Sequence, residues 1–289
     1  MRLRRAFAFS VTFLAVASSA VSASAYCRTT TCDRKRGDCR MVDGCPRSGA
    51  PVSWPLMPIP YRFHAKPPER LDRDEARGAV RLAFQRWSEV ICPNGRRTSL
   101  RFEEGPEIPA SRPRGREPYG IYFRDDGWPH DDVEQTLALT TQLLGGTGGV
   151  IRYADIEINS GNHDFALRDT DPGKDLEAVI THEVGHYIGL AHSPESDSIM
   201  VASYCQSATR CSGTNRDAWR DLGDDDIAAV CALYPPERAA AEPTPSAGCA
   251  VASSSSSSSP PGGALLAGAA MIGGALVRVI RRRRGPTTR

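Results

Sequence analysis

Three histidines and one glutamate stand at a spacing that could hold a metal ion. Residues 182–192 read His-Glu-Val-Gly-His-Tyr-Ile-Gly-Leu-Ala-His. On a helix, residues four apart face the same side, so His182 and His186 would present two imidazoles to one point. Gly189 can adopt the left-handed backbone that ends a helix, which would let the chain turn and bring His192 to that point. Three imidazoles leave a fourth position for water, so the spacing predicts a catalytic Zn²⁺ site.

Glu183 follows the first histidine and is expected to face that water. Zinc lowers the pKa of a bound water toward neutrality and polarises a carbonyl group. A carboxylate beside it can take the proton of the water and pass it to the leaving amine, as general base and then general acid. The four residues together predict metal-assisted hydrolysis. The alternative is a non-catalytic surface binding protein that keeps the metal, and the presence of Glu183 argues against it.

The elements that must position these residues indicate an α+β fold. Apolar spacing predicts helices over residues 72–91, 176–188 and 224–234, with Asp72 and Glu75 forming a capping box at the start of the first. Strands are predicted over residues 59–64, 100–104, 120–124, 136–143 and 150–159. Because the strands cluster before the central helix, they are expected to form one mixed sheet.

The HExxHxxGxxH motif resembles the metzincin clan of zinc endopeptidases, and Ser193 after the third histidine resembles its matrixin branch. Met200 matches the methionine of the Met-turn that lies beneath the zinc in that clan. Tyr204 falls where matrixins place a wall residue of the main specificity pocket. The resemblance covers about residues 54–236. It implies a metzincin-like catalytic domain with a twisted mixed sheet, an active-site helix, a Met-turn and a C-terminal helix.

The resemblance also implies how a polypeptide substrate would bind. Residues 136–143 lie where matrixins have their substrate-binding edge strand, and an extended peptide would add to it through backbone hydrogen bonds. The pocket near Tyr204 would set the side-chain preference. Ala202 stands where many matrixins have proline, which affects the predicted shape of that pocket.

Further metals implied by the resemblance are not assigned. The second, structural zinc of matrixins needs several histidines in one loop, and only His130 and His163 are candidates. Four aspartates could bind Ca²⁺ through their oxygens or form a solvated acidic loop; they are Asp125, Asp126, Asp131 and Asp132.

Nine cysteines indicate an oxidising compartment. We expect disulfides between Cys205 and Cys211 and between Cys92 and Cys231. The remaining cysteines of the body lie in a Cys-rich segment, residues 26–53, and are expected to pair within it; they are Cys27, Cys32, Cys39 and Cys45. A zinc site built from those four is the alternative. The segment itself could also be a separate inhibitory or recognition module.

The two ends of the chain indicate export. Residues 1–25 resemble a secretory signal peptide, with an N-terminal membrane anchor as the alternative, and cleavage would leave Tyr26 as the first residue. Residues 237–261 are a Pro- and Ser-rich linker. Residues 262–284 form an apolar segment with an arginine cluster, which resembles the sorting tails of secreted myxobacterial proteins; an ordinary single-pass anchor is the alternative.

The charge of the body argues against nucleic acid as a partner. Residues 26–248 carry 27 basic and 34 acidic residues, whereas nucleic-acid-binding domains are typically basic. Together, the histidine motif and the two ends of the chain predict a secreted protein of the cell envelope or cell surface. It would act on polypeptides and contact a membrane through residues 262–284.

Overall fold

The computed structural model describes residues 26–32, 37–113, 117–146, 148–167, 173–204 and 220–237. All of them belong to one compact unit. No helix among the described residues is long and apolar enough to cross a membrane. The predicted signal peptide, linker and tail lie outside the described residues, as do Cys205 and Cys211.

Among the described residues, a five-stranded mixed sheet and three helices form the body of the unit, which confirms the α+β prediction. The strands are β1 (Met41–Val42), β2 (Cys45–Pro46), β3 (Ile59–Phe63), β4 (Phe102–Glu104), β5 (Gly120–Phe123), β6 (Ala138–Gly145), β7 (Val150–Ile158), β8 (Phe165–Ala166) and β9 (Lys174–Asp175). The helices are α1 (Arg73–Ser88), α2 (Leu176–Tyr187) and α3 (Asp224–Leu233). The large sheet has the order β4-β3-β5-β7-β6, in which β6 alone runs antiparallel to its neighbour.

Strand β7 lies inside the sheet between β5 and β6, and residues 154–158 are all buried. Two acidic side chains are therefore buried in it. Burial raises the pKa of the Asp155 carboxyl to about 6, against the attraction of Arg124. Glu157 contacts both Arg124 and His130, which supply the charge and hydrogen bonds that a buried carboxylate needs.

Helix α1 begins as predicted but ends earlier. The Asp72 side chain accepts hydrogen bonds from the backbone N–H groups of Asp74 and Glu75, which caps the helix. The helix stops at Ser88, so the prediction that it extends to Ile91 is wrong. The chain instead folds back in a tight turn, in which Ile91 pairs with Arg97, and 55 % of Ile91 is exposed.

Strand β6 begins at Ala138, two residues later than predicted. The backbone N–H of Thr136 bonds to the carbonyl oxygen of Asp132, and the Asn159 side chain donates to the carbonyl oxygen of Thr136. Thr136 is therefore held in a turn.

Three disulfides among the described residues agree with the predicted pairing. Cys27 bonds to Cys45 and Cys32 to Cys39, both within the Cys-rich segment. These two bonds replace the alternative of a zinc site built from the same four cysteines. Cys92, just after α1, bonds to Cys231 on α3 across a sequence separation of 139 residues.

Aromatic side chains fix helix α2 against the rest of the core. The indole N–H of Trp87 on α1 donates to the carbonyl oxygen of Thr181 at 2.8 Å. The indole N–H of Trp54 donates to the carbonyl oxygen of Tyr187 at 2.7 Å, and the Tyr234 hydroxyl donates to that of Ile188 at 2.7 Å. These bonds satisfy buried polar groups along and beyond α2, so the helix is held in both position and rotation.

Candidate active site

Helix α2 is capped and charged at its start. The Asp175 side chain accepts a hydrogen bond from the backbone N–H of Ala178 at 2.8 Å, and Arg220 pairs with the same carboxylate at 2.7 Å. Glu177 in the first turn pairs with Arg86 of α1 at 2.6 Å. Acidic groups are favourable at this end of the helix dipole, and their arginine partners connect α2 to its neighbours.

The three predicted histidines meet at one point. His182 and His186 lie one turn apart on α2 with ring centroids 4.8 Å apart, and the His192 ring lies 5.2 Å and 4.8 Å from them. One ring nitrogen from each lies within 4.8 Å of the others. Three imidazole nitrogens converging in this way fit the ligand set of a zinc ion with one open position.

Backbone carbonyl groups orient two of the rings. The Nδ1 atom of His182 lies 2.7 Å from the carbonyl oxygen of Ile199, and that of His186 lies 2.9 Å from the carbonyl oxygen of Leu190. A carbonyl oxygen only accepts, so Nδ1 carries the proton in each ring and Nε2 is the nitrogen that can bind a metal.

The turn after α2 follows the predicted geometry. Gly189 has a φ of 107°, and a Cβ atom there would lie 2.5 Å from the carbonyl oxygen of Val52. The N–H of Leu190 bonds to the carbonyl oxygen of Gly185, which closes the end of the helix. The chain then leads directly to His192, which is the most exposed of the three histidines.

Met200 is buried against α2, with 1 % of its surface exposed. It packs so closely on α2 that a Cβ atom on Gly185 would lie 2.1 Å from its sulfur. The Asp226 carboxylate of α3 accepts hydrogen bonds from the Ser198 hydroxyl at 2.6 Å and from the N–H of Ile199 at 2.7 Å. The first turn of α3 thus fixes the loop that supplies the carbonyl partner of His182.

Glu183 is buried on α2 and faces strand β6. The Thr140 hydroxyl donates to Glu183 Oε2 at 2.6 Å, and the Gln142 side chain donates to the carbonyl oxygen of His186. Burial raises the pKa of Glu183, while His186 and the hydrogen bond from Thr140 act in the opposite direction. Sequence patterns did not reveal Thr140 or Gln142, although their spacing of two places both on the same face of a strand.

A cleft of about 890 Å³ runs across the site. It is lined by the three histidines and Glu183 on one side and by residues 137–140 of the β6 region on the other. Tyr204 lines the same cleft, and its hydroxyl accepts a hydrogen bond from the N–H of Asp175 at 2.8 Å. The structure therefore brings every predicted site residue except Met200 to one cleft, and Met200 packs against Gly185 of α2.

The residues considered for further metals are not brought together. His130 contacts Glu157, and His163 lies 3.1 Å from the carbonyl oxygen of Val133. Within the described ranges, neither these histidines nor the four aspartates considered for Ca²⁺ belong to a group that could hold a metal ion. The calcium and structural zinc sites remain unassigned.

The sequence profile of the family described as Matrixin matches residues 53–235. The chain belongs to the matrixin family.

Curated relatives agree with this assignment. The chain is 33 % identical over 164 residues to Matrix metalloproteinase-C of Caenorhabditis elegans, a match over 57 % of this chain and 26 % of the relative. It is 30 % identical over 192 residues to interstitial collagenase of Bos taurus, over 66 % of this chain and 34 % of the relative. For Matrix metalloproteinase-26 of Homo sapiens the identity is 27 % over 205 residues, 68 % of this chain and 66 % of the relative. The matches therefore span only about a quarter to a third of the first two relatives.

The family assignment and the histidine triad agree on the cofactor. Matrixins are zinc metalloendopeptidases, and the three converging imidazoles of this matrixin supply the ligands that a catalytic zinc requires. The disulfides fit the extracellular setting that the family implies.

Proposed function

We propose that this matrixin is a secreted zinc-dependent endopeptidase. The observation that carries the proposal is the convergence of His182, His186 and His192 beside the buried Glu183 in one open cleft. The three histidines would hold the ion, and Glu183 would serve as the proton carrier. When bound, zinc supplies an activated water and polarises the scissile carbonyl.

Glu183 would move protons within the cleft that it lines together with the three histidines. Its carboxylate would take a proton from the attacking water and deliver it to the nitrogen of the leaving amine. The Thr140 hydroxyl holds one carboxylate oxygen at 2.6 Å, which leaves the other oxygen for this transfer. Thr140 therefore acts as a positioning residue.

Strand β6 supports the binding of an extended polypeptide. In the described part of the chain it pairs with β7 alone, and it lines the cleft. A peptide laid along its other edge would form backbone hydrogen bonds that do not depend on sequence. We propose that Tyr204 forms a wall of the pocket that selects side chains, with its hydroxyl anchored on Asp175.

The direct test is cleavage of casein and of a peptide library by the purified protein with and without a chelator. We expect hydrolysis that stops when zinc is removed and returns when zinc is added back. His182→Ala should lower zinc content and activity together, because three ligands become two. A protein that binds zinc but cleaves no substrate would favour the alternative of a non-catalytic binding protein.

We also propose that the chain is exported and processed at both ends. Two sequence features support this proposal. Residues 1–25 are an apolar segment that begins with arginines, and residues 262–284 are an apolar segment that ends in an arginine cluster. Mass spectrometry of the native protein should find Tyr26 at the N-terminus and no arginine cluster at the C-terminus. A mature form that retains Arg281 to Arg284 would indicate a permanent membrane anchor and contradict the sorting tail.

A further inference from the structure

Residues 27–29 of the Cys-rich segment pair with residues 189–191, the turn after α2 that is here called the zinc-site turn. The N–H of Thr29 bonds to the carbonyl oxygen of Gly189, and the N–H of Ala191 bonds to that of Cys27, both at 2.9 Å. Arg28 thus lies opposite Leu190 in an antiparallel pair. The turn that leads from α2 to His192 is therefore held by residues 27–29.

Residues 27–31 are connected on their other side to the main sheet. The N–H of Val52 bonds to the carbonyl oxygen of Thr29 at 2.9 Å. One residue further on, the N–H of Ser53 bonds to the carbonyl oxygen of Gly149 at 3.0 Å, next to the start of β7. Residues 27–31 therefore bridge the zinc-site turn and the sheet through a continuous set of backbone hydrogen bonds.

One side chain of the segment acts on a proposed zinc ligand through a shared carbonyl group. The Thr29 hydroxyl donates to the carbonyl oxygen of Leu190 at 2.8 Å, and the same oxygen lies 2.9 Å from Nδ1 of His186. A carbonyl oxygen has two lone pairs and can accept both bonds. Thr29 also lines the cleft. The hydroxyl therefore fixes the group that orients the His186 ring.

A buried disulfide fixes residues 27–31 at Cys27. Cys27 and Cys45 each have 1 % of their surface exposed, whereas the Cys32–Cys39 bond lies in a less buried part of the segment. The family profile begins its match at residue 53, so residues 26–52 lie outside the part of the chain that the profile covers.

We propose that the Cys-rich segment orients a ligand of the zinc site, with Thr29 as a positioning residue for His186 and the Cys27–Cys45 disulfide as the support of residues 27–29. This inference rests on the proposed zinc-dependent function. It differs from the hypothesis of a separate inhibitory or recognition module, which predicts that changes within the segment leave zinc affinity unaltered.

The sharpest test compares two matched substitutions in the full-length protein. Thr29→Val removes the hydroxyl and keeps the branched shape, while Thr30→Val makes the same change one residue on, where the hydroxyl donates to Cys32 within the segment. Partners that orient metal ligands typically contribute about 10- to 100-fold to metal affinity. We expect Thr29→Val to raise the zinc dissociation constant by about tenfold and Thr30→Val to change it by less than about twofold.

A second pair of variants tests the disulfide. Cys27→Ser/Cys45→Ser should weaken zinc binding, while Cys32→Ser/Cys39→Ser should leave it near the wild-type value. The visible spectrum of the cobalt-substituted protein should change in Thr29→Val and not in Thr30→Val, because it reports the geometry around the metal. The melting temperature of each metal-free protein separates this effect from general loss of stability.

Equal zinc affinity in Thr29→Val and Thr30→Val, with unchanged cobalt spectra, would overturn the inference. If Cys27→Ser/Cys45→Ser does not fold, the threonine pair still decides. Failure of the wild-type protein to bind zinc would instead refute the proposed function on which the inference rests.

Discussion

The Thr140 hydroxyl lies 2.6 Å from Oε2 of Glu183 and joins the strand at the edge of the sheet to the carboxylate in the cleft. This contact connects two elements whose residues are 43 positions apart. It would give the edge strand a second role, because the strand proposed to bind the substrate would also orient the proposed proton carrier.

Removing that hydroxyl should impair catalysis more than substrate binding. A hydrogen bond to a charged group contributes about 1.5–3 kcal/mol, so Thr140→Val should lower kcat by about 10- to 100-fold. Thr140→Ser should restore most of the activity. Thr141→Val, the same change on the opposite face of β6, is the control. Steady-state kinetics would contradict the assigned role if both valine variants lost activity equally.

Gly185 should not tolerate a side chain, because Met200 occupies the space. A Cβ atom there would lie 2.1 Å from the Met200 sulfur. Overpacking of this kind costs about 1–3 kcal/mol, so Gly185→Ala should lower the free energy of unfolding in urea by that amount. Gly78→Ala is the matched control on α1, where a Cβ atom meets nothing within 4 Å. It should stabilise the protein by about 0.5–1 kcal/mol. Equal effects at both glycines would refute the packing argument.

The Cys92–Cys231 disulfide should contribute to stability and not to catalysis. It closes a separation of 139 residues and connects the end of α1 to α3, outside the cleft. Loss of a native disulfide costs about 2–5 kcal/mol, and the chain-entropy model assigns more to long loops. Cys92→Ser/Cys231→Ser should therefore unfold at lower urea than Cys32→Ser/Cys39→Ser, which opens a separation of only 7 residues. Both should keep wild-type kcat/KM at low temperature, and a loss of activity without loss of stability would contradict this account.

Asp155 should make stability depend on pH. Its pKa is about 6 in the folded protein and about 4 in an unfolded chain. Between these values the unfolded chain releases the proton first, so the free energy of unfolding should fall as pH rises from about 4 to 6 and stay level above. Asp155→Asn should remove this part of the pH dependence and be the more stable form at pH 7. Identical slopes for wild type and variant would show that the carboxyl does not titrate in this way.

The histidine triad could be predicted because its geometry is mostly local. His182 and His186 lie on one helix, and Gly189 lies just after its end. A spacing of four residues is close to one helical turn, which is enough to place the two imidazoles on the same face. The partners of the triad could not be predicted in this way. Thr29 reaches the Leu190 carbonyl oxygen, and Thr140 reaches Glu183, through contacts between distant segments, which leave no periodic signal in the sequence.

Errors in the elements arose where tertiary contacts override local pattern. Ile91 continues the apolar spacing of α1, yet a tight turn and the disulfide at Cys92 draw it out of the helix. Thr136 has the composition of a strand residue, but backbone and side-chain hydrogen bonds to Asp132 and Asn159 hold it in a turn. Both segments have a local propensity for the predicted helix or strand. Their observed structure is set by tertiary contacts, which propensity does not include.

The most direct measurement of the central claim is zinc content beside casein hydrolysis for Glu183→Ala. All three imidazoles remain in this variant, so it should keep its zinc by elemental analysis. Activity should fall by at least about 10²–10⁴-fold, the range for general acid–base catalysis, because one carboxylate serves two proton transfers. Near-normal turnover would contradict the proposed mechanism, and loss of the zinc would show that Glu183 is itself a ligand.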